Sequence, residues 1–196
     1  MRWRWASWTL WSLAACAGST PAPRAPASQA ARIHELARHD ERVTPFDLNR
    51  DGKPDVWDYT VQVPGPDGRI RERRDREELD MNSDGQVDLV KWFDPHDQLA
   101  RETLDLDFDG RVDQVNRYEA GLISRKERDL DGDGRPDQTA VYEAGRLVRQ
   151  ERDTNSDGKV DVWEYYENGR QIRVGKDLNF DGQVDQWSQG SESAAQ

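Results

Sequence analysis

The feature that most constrains this chain is a nine-residue pattern, Asp-x-[Asp/Asn]-x-Asp-Gly-x-[Val/Pro]-Asp, present six times. The copies begin at Asp47, Asp80, Asp105, Asp129, Asp153 and Asp177, so the spacing settles to 24 residues after a longer first unit. A repeat of that length is one supersecondary unit. Such a unit cannot bury an apolar face alone, so successive copies must stack on one another.

The residue types inside the pattern carry a chemistry. Side-chain oxygens stand at the first, third, fifth and ninth positions: Asp47, Asn49, Asp51 and Asp55; Asp80, Asn82, Asp84 and Asp88; Asp105, Asp107, Asp109 and Asp113. The later copies supply Asp129, Asp131, Asp133 and Asp137; Asp153, Asn155, Asp157 and Asp161; Asp177, Asn179, Asp181 and Asp185. Alternate residues of a tightly wound loop can aim oxygens at one centre. Calcium takes six to eight such hard ligands at roughly 2.3–2.6 Å, a backbone carbonyl at position 7 among them. The glycine at position 6 permits the sharp turn. Magnesium prefers a smaller octahedral site that keeps its waters, and zinc prefers His or Cys, which the loops lack. Turn-making explains Asp, Asn and Gly in a single copy. It does not explain carboxylates at positions 1, 5 and 9 in all six, so up to six Ca2+ per chain are expected.

Between the loops lie short segments rich in β-branched and aromatic residues, such as Val56-Trp-Asp-Tyr-Thr-Val and Val162-Trp-Glu-Tyr-Tyr, which read as strands. Turn signals follow at Glu119-Ala-Gly121, Glu143-Ala-Gly145 and Glu167-Asn-Gly169, and then a second extended segment returns to the next loop. The expected fold is all-β: a repeat array of antiparallel β-hairpins, a meander or solenoid-like sheet joined by calcium-binding loops, with a propeller as the alternative. Strand alternation places Trp57, Tyr59, Val90, Trp92, Val115, Val141, Trp163, Tyr165 and Trp187 on one side, read as packing in preference to a sugar-stacking platform. The repeat domain is expected over 46–190, with a short helix or cap over 31–45 from Ile33, Leu36 and Ala37, and a disordered tail at 191–196.

The loops resemble the Asp-x-Asp-x-Asp-Gly calcium loops of EF-hands, dockerins, thrombospondin type-three repeats and integrin propellers. A true EF-hand adds a bidentate Glu at position 12 and flanking helices. Position 12 here reads Asp58, Lys91, Asn116, Ala140, Glu164 and Ser188. Aspartate at position 9 is instead similar to the thrombospondin-like and integrin-like versions.

The amino terminus has its own logic. Arg2 and Arg4 precede a short apolar run that ends in Leu13-Ala14-Ala15-Cys16. This resembles the bacterial lipobox, which implies a leader over 1–15, lipidation of Cys16 and a membrane anchor. The apolar stretch is far shorter than the ~20 residues that span a bilayer. Residues 16–30 have the Gly, Ser, Thr, Pro and Ala content of a flexible tether. Ala17 follows the cysteine, so by resemblance to enteric lipoproteins the outer membrane of the cell envelope is the expected location.

Charge and hydropathy limit the function classes. Removing the leader with Arg2 and Arg4 takes the net charge from -11 to -13, and six calcium ions would bring +12. A mean hydropathy of -1.05 leaves little for a thick core, so metal is expected to contribute to stability. The acidic balance argues against nucleic acid as a partner. Cys16 is the sole cysteine, which excludes an intramolecular disulfide. His34, His39 and His96 read as solvated, and no nucleophile–base set emerges. The expected role is a non-enzymatic structural or binding scaffold. The alternatives are a calcium-dependent adhesion module for polysaccharide or protein and, behind it, a calcium-dependent hydrolase.

Overall fold

The computed structural model describes residues 40–190. Cys16, the leader and tether over 1–30, His34, His39 and the 191–196 tail lie outside the described residues. So does the 31–39 part of the segment assigned to a helix or cap. In the rest of that segment Asp40 lies in a turn and 41–45 are strand, so the sheet begins at Glu41 instead of residue 46.

Twelve strands follow in chain order: β1 (Glu41–Phe46), β2 (Val56–Pro64), β3 (Ile70–Leu79), β4 (Leu89–Phe93), β5 (Leu99–Leu104) and β6 (Gln114–Glu119). Then come β7 (Leu122–Arg128), β8 (Gln138–Glu143), β9 (Arg146–Arg152), β10 (Val162–Glu167), β11 (Arg170–Lys176) and β12 (Gln186–Gln189). Each pairs antiparallel with the next in a single open sheet ordered β1 to β12. The meander is therefore not closed into a propeller, and no helix occurs among the described residues.

Two kinds of connection alternate, and this sorts them to opposite ends of the sheet. The tight turns at Ala120-Gly121, Ala144-Gly145 and Asn168-Gly169 have both residues at positive φ, between 48° and 77°. That is the type I′ geometry whose twist matches paired strands. The nine-residue loops then all fall at the other end.

Register shows which residues share a face. One row across the sheet runs Tyr59, Arg76, Trp92, Arg101, Arg117, Arg125, Val141, Arg149, Tyr165 and Arg173. The next row toward the loops runs Trp57, Glu78, Val90, Thr103, Val115, Glu127, Thr139, Glu151, Trp163, Gly175 and Trp187. All nine apolar residues assigned to one side by alternation do share it. Every hairpin has a register shift at the first of these rows, after Tyr59, Trp92, Arg117, Val141 and Tyr165. Such bulges bend the strand and increase its twist.

What fills the spaces between those residues differs along the sheet. At the amino-terminal end Val87 and Val90 are buried with Trp57, Trp92 and Val112 packed on them. The buried Arg76 bonds Glu41 and Glu78 and lies 3.7 Å from the Tyr59 ring centre. Burial, with the Glu78 carboxylate beside it, pushes the Tyr59 hydroxyl up to about 12. From β6 onward ion pairs, Arg125–Glu127 at 2.7 Å and Arg149–Glu151 at 3.1 Å, stand among Val115, Val141, Trp163, Tyr165 and Trp187 on the same face. Half-exposed pairs of this kind contribute about 0–1 kcal/mol each.

Candidate metal centres along one end of the sheet

Each loop is closed by its own ninth residue. The N–H groups of Asp55, Asp88, Asp113, Asp137, Asp161 and Asp185 donate to the carbonyls of Phe46, Leu79, Leu104, Arg128, Arg152 and Lys176, at 2.8–2.9 Å. Successive loops are joined by a second series. The N–H of Asp80, Asp105, Asp129, Asp153 and Asp177 donates at 2.8 Å to the ninth-position carbonyl of the loop before. The loops therefore form one continuous row, spaced by two strands or about 10 Å.

Inside a loop the carboxylates organise the backbone. The first aspartate accepts from the N–H of the glycine at position 6 in all six copies, at 2.6–2.9 Å. The fifth accepts from the N–H at position 7, at 2.8–2.9 Å. The ninth accepts through Oδ2 from the N–H at position 2, at 2.5–2.8 Å. Turn chemistry thus accounts for more of the pattern than the residue types suggest, since each of these carboxylates has a backbone partner. These bonds pre-form the loop and leave a second oxygen on the fifth- and ninth-position carboxylates; at Asp137 that oxygen accepts from the Ser156 hydroxyl of the next loop at 3.3 Å.

What meets the fifth-position oxygen depends on position 3. Where it is asparagine, its Oδ1 accepts from the position-5 N–H and its Nδ2 reaches the position-5 carboxylate. The four examples are Asn49 to Asp51, Asn82 to Asp84, Asn155 to Asp157 and Asn179 to Asp181, at 3.2–3.4 Å. Where it is aspartate, no proton donor stands there. In those two loops carboxylate oxygens gather within 4.8 Å of one another: Asp105, Asp107 and Asp109 in one, Asp129, Asp131 and Asp137 in the other. Two ligands on one calcium ion lie up to about 5 Å apart, so these all-oxygen sets fit that ion. The other four loops bring their expected ligands into the same backbone form without such a cluster of acids.

One further orphan lies in the row. Asp161 is 1% exposed. Its Oδ2 accepts from the Thr154 N–H and hydroxyl, while its buried Oδ1 has no partner. The equivalent Oδ1 of Asp55 turns into its own loop to meet Asn49 Nδ2 at 3.1 Å. A buried carboxylate oxygen left alone is costly, and a cation in the loop would satisfy it.

Charge along the row is lopsided. Positions 1, 5 and 9 give eighteen aspartates, with Asp107 and Asp131 in addition, against five cations: Arg50, Lys53, Arg111, Arg135 and Lys159. Burial pushes the Asp105 carboxyl up, and the neighbouring Asp113 charge adds to it. Burial also raises Asp88, with Asp80 and Asp84 beside it. At Asp177 burial is outweighed by backbone N–H groups of Gly182, Phe180, Asp181 and Asn179, which hold the carboxyl below its ordinary value.

Residue types alone did not reveal position 4. It lies in the left-handed region in every loop: Arg50, Ser83, Phe108, Gly132, Ser156 and Phe180, with φ between 58° and 72°. Only Gly132 signals it. Position 12 lies within strands, in the row Asp58, Lys91, Asn116, Ala140, Glu164 and Ser188 on the opposite face. These residues are not loop ligands, and the helical EF-hand arrangement is absent from the described residues. His96 is exposed in the turn between β4 and β5.

No protein-family model matches the chain, and no curated protein matches it. Among solved structures, one similar chain belongs to a structure of accessory secretory proteins 1, 2 and 3 of Streptococcus pneumoniae. It is 16% identical with a TM-score of 0.35, covering 70% of this chain and 22% of that one. Another belongs to a glycosylation-associated protein complex of Streptococcus agalactiae, at 14% identity and a TM-score of 0.30, covering 69% and 21%. This chain spans about a fifth of the length of each, and likeness at that level carries no inference about function.

Proposed function

We propose that this chain is a calcium-binding scaffold of the bacterial cell envelope, anchored to the membrane through lipid on Cys16 and performing no catalytic step of its own. The observation that supports it most is the gathering of Asp105, Asp107 and Asp109, and of Asp129, Asp131 and Asp137, with no position-3 amide donating between the acids. The ion would be held by those residues, with Asp161 the next ligand drawn in. Bound calcium supplies charge neutralisation and a crosslink between the ends of each loop. Because the loops are hydrogen-bonded to one another in series, holding one in shape steadies its neighbours. Extracellular modules of this chemistry bind in the 10⁻⁴–10⁻³ M range, which suits constitutive occupancy over signalling.

The test is a calorimetric calcium titration of the full-length chain in neutral detergent, with circular dichroism before and after a chelator. Several ions per chain, and a melt lowered on chelation, are expected. An ion at a hundred times its Kd stabilises by about 2.7 kcal/mol per site. No heat of binding at millimolar calcium would leave the loops as hydrogen-bonded turns and end the proposal.

A second reading is a calcium-dependent adhesion or polysaccharide-binding module. It is favoured by Trp187, which is 42% exposed on β12 with the Arg173 guanidinium 3.6 Å from its ring centre and the Tyr165 ring 6.0 Å away. Glycan-array binding lost in Trp187→Ala would support it, and silence across glycans would remove it.

A further inference from the structure

On the face opposite the aromatic row, β7, β8 and β9 enclose a shallow cleft of about 170 Å³. Its floor is Ala140, whose cross-strand neighbours are Lys126 on one side and Gln150 on the other. Arg128 stands two residues from Lys126 on the same face and faces Gln138. Tyr142 and Leu147 close the hairpin side. No lining residue is acidic.

That is unusual in a chain with 39 acidic and 28 basic residues. Other strand cations nearby are neutralised: Arg125 by Glu127, Arg149 by Glu151 and Arg152 by Glu164. Lys126 and Arg128 have no carboxylate within ion-pair distance among the described residues. The acids that flank them are already engaged. Glu102 accepts from Asn116 at 3.0 Å and from the Tyr118 hydroxyl at 2.6 Å. Glu164 accepts from Arg152 at 2.9 Å and from Gln171 at 3.0 Å. Arg128 is oriented by its Nε, which donates to Gln114 Oε1 at 2.8 Å and leaves both Nη groups uncommitted. Burial lowers the Lys126 pKa, and the Arg128 charge beside it lowers it further. Two like charges therefore share one face, half-buried, with no carboxylate at ion-pair distance among the described residues.

We propose that this cleft is an oxyanion site, taking the carboxylate or phosphate group of a small polar ligand between Lys126 and Arg128. The guanidinium supplies paired N–H donors that match an oxyanion, and the ammonium supplies a mobile point charge. The amides of Gln138 and Gln150 and the Tyr142 hydroxyl offer neutral hydrogen bonds to the body of the ligand. The site uses no loop residue, so it stands apart from the calcium proposal.

The test is titration of the full-length chain, in millimolar calcium, with glucuronate, glucose 6-phosphate and uncharged glucose, read by calorimetry. Saturable binding of at least one anion is expected, with none for glucose. Which anion binds separates the carboxylate from the phosphate source. Lys126→Met and Arg128→Gln should each weaken binding at least tenfold, while Arg149→Gln should leave it unchanged. Should a variant fail to fold, amine acetylation of the native chain read by mass spectrometry serves instead. Saturating anion should protect Lys126 and not Lys91. Absence of saturable anion binding, equal binding of glucose, unchanged binding in folded Lys126→Met, or unprotected Lys126 would each overturn the proposal.

Discussion

In the loop at 177–185 the third residue is Asn179, which accepts from the Asp181 N–H and returns its Nδ2 to the Asp181 carboxylate at 3.4 Å. In the loop at 105–113 the third residue is Asp107, which accepts the same N–H from Asp109 at 3.2 Å and has no proton to return. The backbones match: position 4 has φ of 63° and 65°, and position 6 of 90° and 86°. One atom type at one position thus separates a loop closed by its own amide from a loop whose acids face each other. Six copies of one motif are therefore not six equal sites. Four contain a built-in neutral crosslink, and two concentrate the charge that a cation needs.

The largest effect that could break this comparison is removal of the distinguishing charge. Asp107→Asn and Asp131→Asn are each expected to weaken calcium at their loop tenfold or more, about 1.4 kcal/mol, because ligand charge count tunes affinity in such loops. Site-resolved titration by NMR would check this, and equal affinity in wild type and variants would erase the distinction. The converse change, Asn82→Asp, should raise affinity at 80–88 by a similar factor. It should also lower the calcium-free melting temperature, since a neutral donor to Asp84 is replaced by a charge.

Backbone conformation provides a smaller effect. Gly132→Ala in the left-handed position should cost about 1 kcal/mol in thermal unfolding. Phe108→Gly, at the same position of the neighbouring loop, should cost close to nothing. Equal costs would show that the two loops do not share the backbone form described above.

The smallest effect is on proton uptake. With calcium chelated, Asp105 should titrate above the ordinary aspartate value and Asp177 below it, in carboxyl NMR. The raised group favours the fold at low pH, and that contribution disappears as pH rises through its folded pKa. The depressed group favours the fold above the ordinary value, and its contribution is lost as pH falls through its folded pKa. Coincident titrations would mean that burial at Asp105 is not felt by its charge.

Much of the fold was legible because its causes are local. Gly121, Gly145 and Gly169, with Asn168, favour the positive φ of a type I′ turn, so hairpins could be read at 120, 144 and 168, although Ala120 and Ala144 hold a φ that L side chains disfavour. Alternation placed Trp57, Tyr59, Trp163 and Trp187 on one face because the side-chain period of a strand is fixed at two. Of the helix or cap expected over 31–45, residues 31–39 lie outside the described residues, and 41–45 form a strand because Glu41–Phe46 finds a full register against β2.

The candidate sites divide in the same way. Residue types alone determined that six loops would present aspartate oxygens around a glycine with positive φ, since both follow from chemistry within nine residues. Only the tertiary structure decided that the loops join into one hydrogen-bonded row. It likewise decided that Asp161 retains an unpartnered buried oxygen, and that Lys126 and Arg128 share a cleft free of acids. Each of those depends on which strand lies beside which and in what register, and the interactions that set register act between residues of different repeats.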